Sequence, residues 1–136
     1  MKHFKKGTVY LFGLFALTMI FSFTGITKVA EKKWQGVASF YHAKFNGRKT
    51  STGEIFSNKQ LTAANNFLKL GTLVKVTNLL NGKSVIVKIN DRMNRKNKRL
   101  IDLSQAAAAK LDMIRQGIGH VSVEIIGVQS DFLARR

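Results

Sequence analysis

The sequence predicts a mainly β domain: a small closed barrel with one short α-helix, preceded by an N-terminal hydrophobic export segment. Three observations lead there. Stretches near residues 73–77, 83–89 and 120–126 alternate apolar and polar residues with period two, the mark of half-buried strands. A single alanine-rich run behind a serine has helical character. About a hundred residues follow the apolar segment, enough for one compact domain.

Residues 1–30 read as a signal peptide or an N-terminal membrane anchor. Met1-Lys2-His3-Phe4-Lys5-Lys6 is basic, and no charged residue occurs from Gly7 to Thr27. A basic patch before an apolar run is an export signal, and 7–27 is also long enough to span a bilayer and hold the chain at a membrane. No small-x-small cleavage site stands out, so both readings remain open. With the positive flank inside, the rest of the chain is expected outside the cytoplasm, in the periplasm or cell envelope.

The barrel is expected over residues 31–127, with a short tail at 128–136. Gly36-Val37-Ala38-Ser39-Phe40-Tyr41 opens it as a first strand. Residues 46–53 are polar and turn-rich, a loop by composition. Leu73-Val74-Lys75-Val76-Thr77 and Lys83-Ser84-Val85-Ile86-Val87-Lys88-Ile89 flank Asn81-Gly82, whose residue types both tolerate the positive φ of a hairpin turn. Ser104 can cap a helix over 105–111. His120-Val121-Ser122-Val123-Glu124-Ile125-Ile126 closes the domain.

Charge and composition narrow the function. The chain carries 23 basic against 7 acidic residues, a net charge of +16. Four of the basic residues lie in 1–30, so the exported part is itself strongly basic and suited to an anionic partner. Absent cysteine excludes disulfides, thiolate metal sites and a cysteine nucleophile. Hydrophobic content of 45% supplies a core and excludes a disordered polycation. Arg92, Arg95, Lys96, Lys98 and Arg99 crowd into eight residues, but export removes the chain from chromosomal DNA, so no nucleic-acid partner is expected. No zinc-ligand spacing, nucleophile elbow or phosphate loop is present, so no metal and no cofactor are expected.

Seven carboxylates remain to carry chemistry. Glu31 and Asp131 lie at the domain edges, Glu124 on the solvent face of a strand, and Asp112 beyond the helix. Asp102 precedes Ser104 and is expected to assist the helix N-terminus. Glu54 and Asp91 end a loop and a strand, where a carboxylate can be held rigidly while facing a cleft. By local sequence alone, Asp91 also suits a turn-capping or ion-paired residue, and Glu54 an exposed loop acid.

The blocks Gly36–Tyr41, Asn46–Glu54, Leu61-Thr62-Ala63-Ala64, Leu70-Gly71-Thr72, Val76-Thr77-Asn78, Asn81-Gly82-Lys83, Asn90-Asp91-Arg92 and Ile101-Asp102-Leu103-Ser104 occur in order. Over about residues 36–126 this pattern resembles the rare lipoprotein A (RlpA) family of lytic transglycosylases. The resemblance implies a six-stranded double-psi β-barrel, expected as a monomer, that acts on peptidoglycan glycan strands. It implies endolytic cleavage to 1,6-anhydro-MurNAc ends, in some members on strands stripped of stem peptides. By position, Asp91 is the implied acid/base and Glu54 a second important carboxylate. Tyr41, Arg48, Asn65, Asn90 and Arg92 are the implied substrate contacts, with Glu54, Asn65 and Asp91 expected to converge on one groove. Asn65 stands where catalytic members usually carry histidine, and Met93-Asn94 where many have Gly-Pro. The alternative within this fold is a non-catalytic, expansin-like glycan-binding barrel.

Overall fold

A computed structural model of the protein describes residues 32–129. The expected export segment, 1–30, and the residues from 130 onward lie outside the described residues. Six strands and one helix make up the domain: β1 (Lys33–Phe40), β2 (Thr62–Ala64), β3 (Thr72–Asn78), β4 (Ser84–Asp91), β5 (Ile101–Leu103), α1 (Gln105–Lys110) and β6 (Gly119–Val128). They close into a barrel in the order β1-β5-β2-β4-β3-β6. Two parallel pairs, β1 with β5 and β2 with β4, are set among antiparallel ones, the interlocked arrangement of a double-psi barrel. Among the described residues no helix is long and apolar enough to cross a membrane.

Period-two alternation builds the core directly. Val74 and Val76 of β3, Val85, Val87 and Ile89 of β4, and Val121 and Val123 of β6 point inward and are buried. Ala38, Ala63, Ile101 and Leu103 complete the interior, and Ala107, Ala108, Leu111 and Met113 pack against it around α1. Ser104 caps α1 as expected, its Oγ accepting from the Ala107 amide at 3.2 Å. Asn58 adds to that cap by accepting from the Gln105 amide at 3.0 Å.

The turn between β3 and β4 differs from the two-residue hairpin that Asn81-Gly82 suggested. Five residues connect the strands, and Gly82 alone takes a positive φ, 74°. The Gly82 amide donates back to the Asn78 carbonyl at 2.8 Å, a single helical turn that glycine then ends. Asn81 stays at negative φ and sends its side-chain amide to the Leu111 carbonyl at 3.0 Å.

Close packing appears where β1 meets the residue before β5. A Cβ placed on Gly36 would lie 2.8 Å from the Leu100 Cβ, so only glycine fits without a backbone shift. Gly36→Ala is expected to lower stability by about 1–3 kcal/mol through overpacking. Thermal unfolding of wild type and variant checks this, and equal midpoints would contradict it.

One irregularity positions the site. In the β2–β4 pair, Ala63 lies opposite Ile89 but Ala64 lies opposite Asp91, so Asn90 is an extra, bulged residue. A bulge re-aims the side chain that follows it. Ala64 is also the register partner of Asp102, which in turn faces Ser39 across β5 and β1. Asp91, Ala64, Asp102 and Ser39 thus form one row across four adjacent strands. The two aspartates sit two strand spacings apart, roughly 10 Å between Cα atoms.

Candidate active site

Above this row lies an open groove of about 620 Å3. Asp91 and Asp102 are the carboxylates in its lining. Five cationic side chains line it as well: Lys44, Arg48, Lys49, Arg92 and Arg99. The groove is therefore basic around two acids, and the charge excess seen in composition has a local counterpart.

Asp91 is fixed by four donors. Its Oδ1 accepts from the Ser51 amide at 3.0 Å, the Ser51 hydroxyl at 2.8 Å and the Arg92 amide at 2.8 Å. Among the described residues its Oδ2 accepts only from the Tyr41 hydroxyl, at 2.7 Å. One oxygen is saturated while the other keeps room for a proton or a ligand. Burial, followed by the Asp91 carboxylate that it faces, pushes the Tyr41 phenol well above its usual range. Tyr41 therefore remains a hydrogen-bond donor across the neutral range. Phe56 and Phe45 pack on its ring with centroids 4.4 and 5.6 Å away, and the Arg48 guanidinium lies 5.4 Å over Phe45. This aromatic packing fixes the phenol.

The loop bearing Ser51 and Glu54 is tied to the bulge. The Thr52 amide donates to the Asn90 carbonyl at 3.3 Å, and the Thr50 and Glu54 backbones pair at 2.8 Å. Within that loop Ser51 faces Asp91, whereas Glu54 faces away. Glu54 forms an ion pair with Lys88 at 2.7 Å and accepts from the Asn90 side-chain Nδ2 at 3.3 Å. The Lys88 ammonium holds the Glu54 carboxyl below its usual range; Asn90 and Thr52 add to this and partial burial opposes it. Its side chain is 39% exposed, so solvent screens the pair.

A carboxyl with a lowered folded pKa stabilises the protein above its unfolded value, and that contribution is lost as pH falls through the folded value. The Glu54–Lys88 contribution is thus complete at neutral pH and fades below about pH 4.3. Lys88→Met is expected to flatten this acid limb of the stability profile. Melting curves across the acid range check it; an unchanged limb would show that the pair contributes nothing.

Asn65 and Asn90 are turned into the protein. Asn65 is 0% exposed. Its Oδ1 accepts from the Phe67 and Leu68 amides at 2.9 and 2.7 Å, and its Nδ2 donates to the Leu100 carbonyl at 2.8 Å. Asn90 is 2% exposed at the bulge. The Arg92 guanidinium donates to the Asn65 and Leu68 carbonyls at 2.5 and 2.6 Å, strapping the same turn. Asp91, Tyr41, Arg48 and Arg92 line the groove. The side chains of Glu54, Asn65 and Asn90 do not, although the Asn65 amide donates to the Asp91 carbonyl and Asn90 precedes it in the chain.

Two participants carried no sequence assignment at the groove. Ser51 supplies two of the four donors to Asp91. Asp102 does not serve the helix N-terminus; Ser104 and Asn58 do that. Instead it accepts from Ser39 Oγ at 2.9 Å, from Arg99 Nε and Nη2 at 2.7 and 2.9 Å, and from Asn97 at 3.3 Å. In the fold, buried Ile101 and Leu103 on either side turn Asp102 outward into the groove. Among the described residues no group of three His, Asp or Glu side chains gathers as metal ligands would.

The family model for lytic transglycolases matches residues 33–123. The chain belongs to that family. Its match spans the whole barrel from β1 into β6, with Asp91 and the loop around Ser51 inside it. Curated relatives agree. The chain is 50% identical over 94 residues to the endolytic peptidoglycan transglycosylase RlpA of Haemophilus influenzae, covering 69% of this chain and 33% of that protein. It is 54% identical over 91 residues to the Pasteurella multocida protein of the same name, covering 67% and 31%. The chain thus spans about a third of the length of these relatives. Among solved structures, the Streptomyces papain inhibitor is similar at TM-score 0.56 and 24% identity, over 70% of this chain and 94% of that one. An expansin of Clavibacter michiganensis is similar at TM-score 0.57 and 20% identity, over 70% and 50%. These structural likenesses establish the barrel fold of this lytic transglycolase family member.

Proposed function

We propose that the chain is an exported endolytic lytic transglycosylase of peptidoglycan that acts in cell wall organisation. In this reading it cleaves MurNAc-GlcNAc strands to 1,6-anhydro-MurNAc ends and prefers strands lacking stem peptides. The observation that carries it is Asp91: a carboxylate in an open groove, one oxygen saturated by three donors and the other half-free, in a chain of this family.

In the reaction, Asp91 gives a proton from Oδ2 to the glycosidic oxygen as the bond from that oxygen to C1 breaks. The C6 hydroxyl of the same sugar then bonds to C1 and returns its proton to Asp91. Atoms balance without water, and one carboxyl serves in both steps, unlike the paired acids of hydrolases. Tyr41 and Ser51 hold Asp91 in place throughout. Glu54 is a positioning residue here, acting through Asn90 and Lys88 on the bulge that aims Asp91.

A second reading, a non-catalytic glycan-binding barrel, is favoured by the pairing of Glu54 with Lys88 outside the groove. The same fold occurs in an expansin solved in complex with cellohexaose. Incubating the full chain with glycan strands, with and without stem peptides, and analysing products by mass spectrometry separates the two. Anhydro-ended fragments from stripped strands are expected. Retained binding with no anhydro product would overturn the enzyme and leave the binding barrel.

A further inference from the structure

The basic block at 92–99 is only partly explained by the chemistry at Asp91. Arg92 is spent on carbonyls of the Asn65 turn. Arg99 is different. It grips Asp102 side-on through Nε and Nη2, in a part-buried, two-pronged arrangement, and both residues line the groove.

A guanidinium has five N–H donors in a planar fork. The grip on Asp102 takes one from Nε and one from Nη2, and Nη1 has no partner among the described residues. The edge formed by Nη1 and Nη2 is therefore a second, unused fork. Asp102 is itself held by Ser39 and Asn97, with only 13% of its side chain exposed, while the Arg99 side chain is 39% exposed. The Asn97 side chain also accepts from the Arg99 amide at 3.0 Å, fixing the loop beneath it. A cation held this firmly loses little freedom when it binds an anion. Lys44, Arg48 and Lys49 share the groove lining and bias it further toward negative charge.

We propose that Arg99, held by Asp102, is a specificity-determining subsite that recognises a carboxylate borne by the glycan strand. The inference rests on the glycan-cleaving reading of the groove and adds what selects the strand. Two sources can supply the group: the lactyl carboxylate that each muramic residue exposes when its peptide is removed, and the carboxylates of an attached stem peptide. Arg99 takes the first, because that group sits directly on the sugar bound in the groove.

The test is a binding measurement with the full chain carrying Asp91→Asn, so that no turnover intervenes. The ligands are peptide-free MurNAc-GlcNAc oligomers, the same oligomers with lactyl groups converted to methylamides, and peptide-bearing oligomers. Peptide-free oligomers are expected to bind about tenfold more tightly than their methylamides, the scale of one charge-assisted fork. Adding Arg99→Gln should erase that preference, Arg99→Lys should keep part of it, and Asp102→Asn should weaken it. Persistence of the preference in Arg99→Gln, or its absence in the parent, overturns the proposal. Tighter binding of peptide-bearing oligomers, lost with Arg99→Gln, would overturn the lactyl assignment in favour of the peptide. Should Arg99→Gln not fold, the parent's preference and the Arg99→Lys comparison still decide. If the wild-type chain yields no anhydro product from the same oligomers while the Arg99-dependent preference is present in the Asp91→Asn background, the lyase reading is refuted and the subsite stands.

Discussion

Asp91→Asn is expected to remove glycan cleavage, lowering kcat/KM by about two to four orders of magnitude, the usual contribution of a positioned general acid. The substitution is nearly isosteric. An asparagine oxygen in the Oδ1 position can still accept from Ser51 and from the Arg92 amide, so the loop and bulge should stay in place. What disappears is the transferable proton at Oδ2, opposite the Tyr41 hydroxyl. Loss of activity should therefore come with a melting temperature close to wild type and with undiminished binding of peptide-free strands. Liquid chromatography of anhydro-ended products gives the rate, and calorimetry gives the stability. Substantial residual cleavage would move the acid to another residue. Asp102 would then be next in line within the groove, but it is already committed to Arg99.

How this site was foreshadowed in sequence follows from element length and from partner dependence. The long strands β3, β4 and β6 were legible because each runs seven or more residues and carries a stretch of alternation that sets its face. Strands β2 and β5 have three residues each, too few for any period, and exist because neighbours on both sides pair with them. That shortness is also why Asp102 read as a companion of Ser104 rather than as a groove residue. The bulge at Asn90 belongs to a pair of strands and has no signature in one of them. Asp91 itself could be singled out as a strand-end carboxylate, and Tyr41 came with the family pattern. Glu54 came from the same pattern, but the direction of its side chain depends on Lys88, 34 residues away.

Asn65 illustrates the same limit with a larger energetic consequence, and Asn65→Ala is expected to destabilise the domain by about 3 kcal/mol. The family resemblance implies a substrate contact for this residue. Its position, 0% exposed, instead makes it the internal support of the turn after β2. Alanine would strand the Phe67 and Leu68 amides and the Leu100 carbonyl at once. Each lost hydrogen bond costs about 1 kcal/mol net, and more where the abandoned group stays buried. For a domain of about a hundred residues that shifts the melting temperature down by roughly 10–20 °C. Activity should fall with it, since the Asn65 carbonyl anchors Arg92 and the Asn65 amide donates to the Asp91 carbonyl at 3.1 Å. Asn65→Asp separates the parts. It keeps an acceptor for the two amides but sets a carboxylate against the Leu100 carbonyl, so it too should destabilise at neutral pH. Thermal melts of both variants decide the matter: midpoints within a few degrees of wild type would return Asn65 to the list of substrate contacts, whereas large losses in both assign it to the frame that holds Asp91.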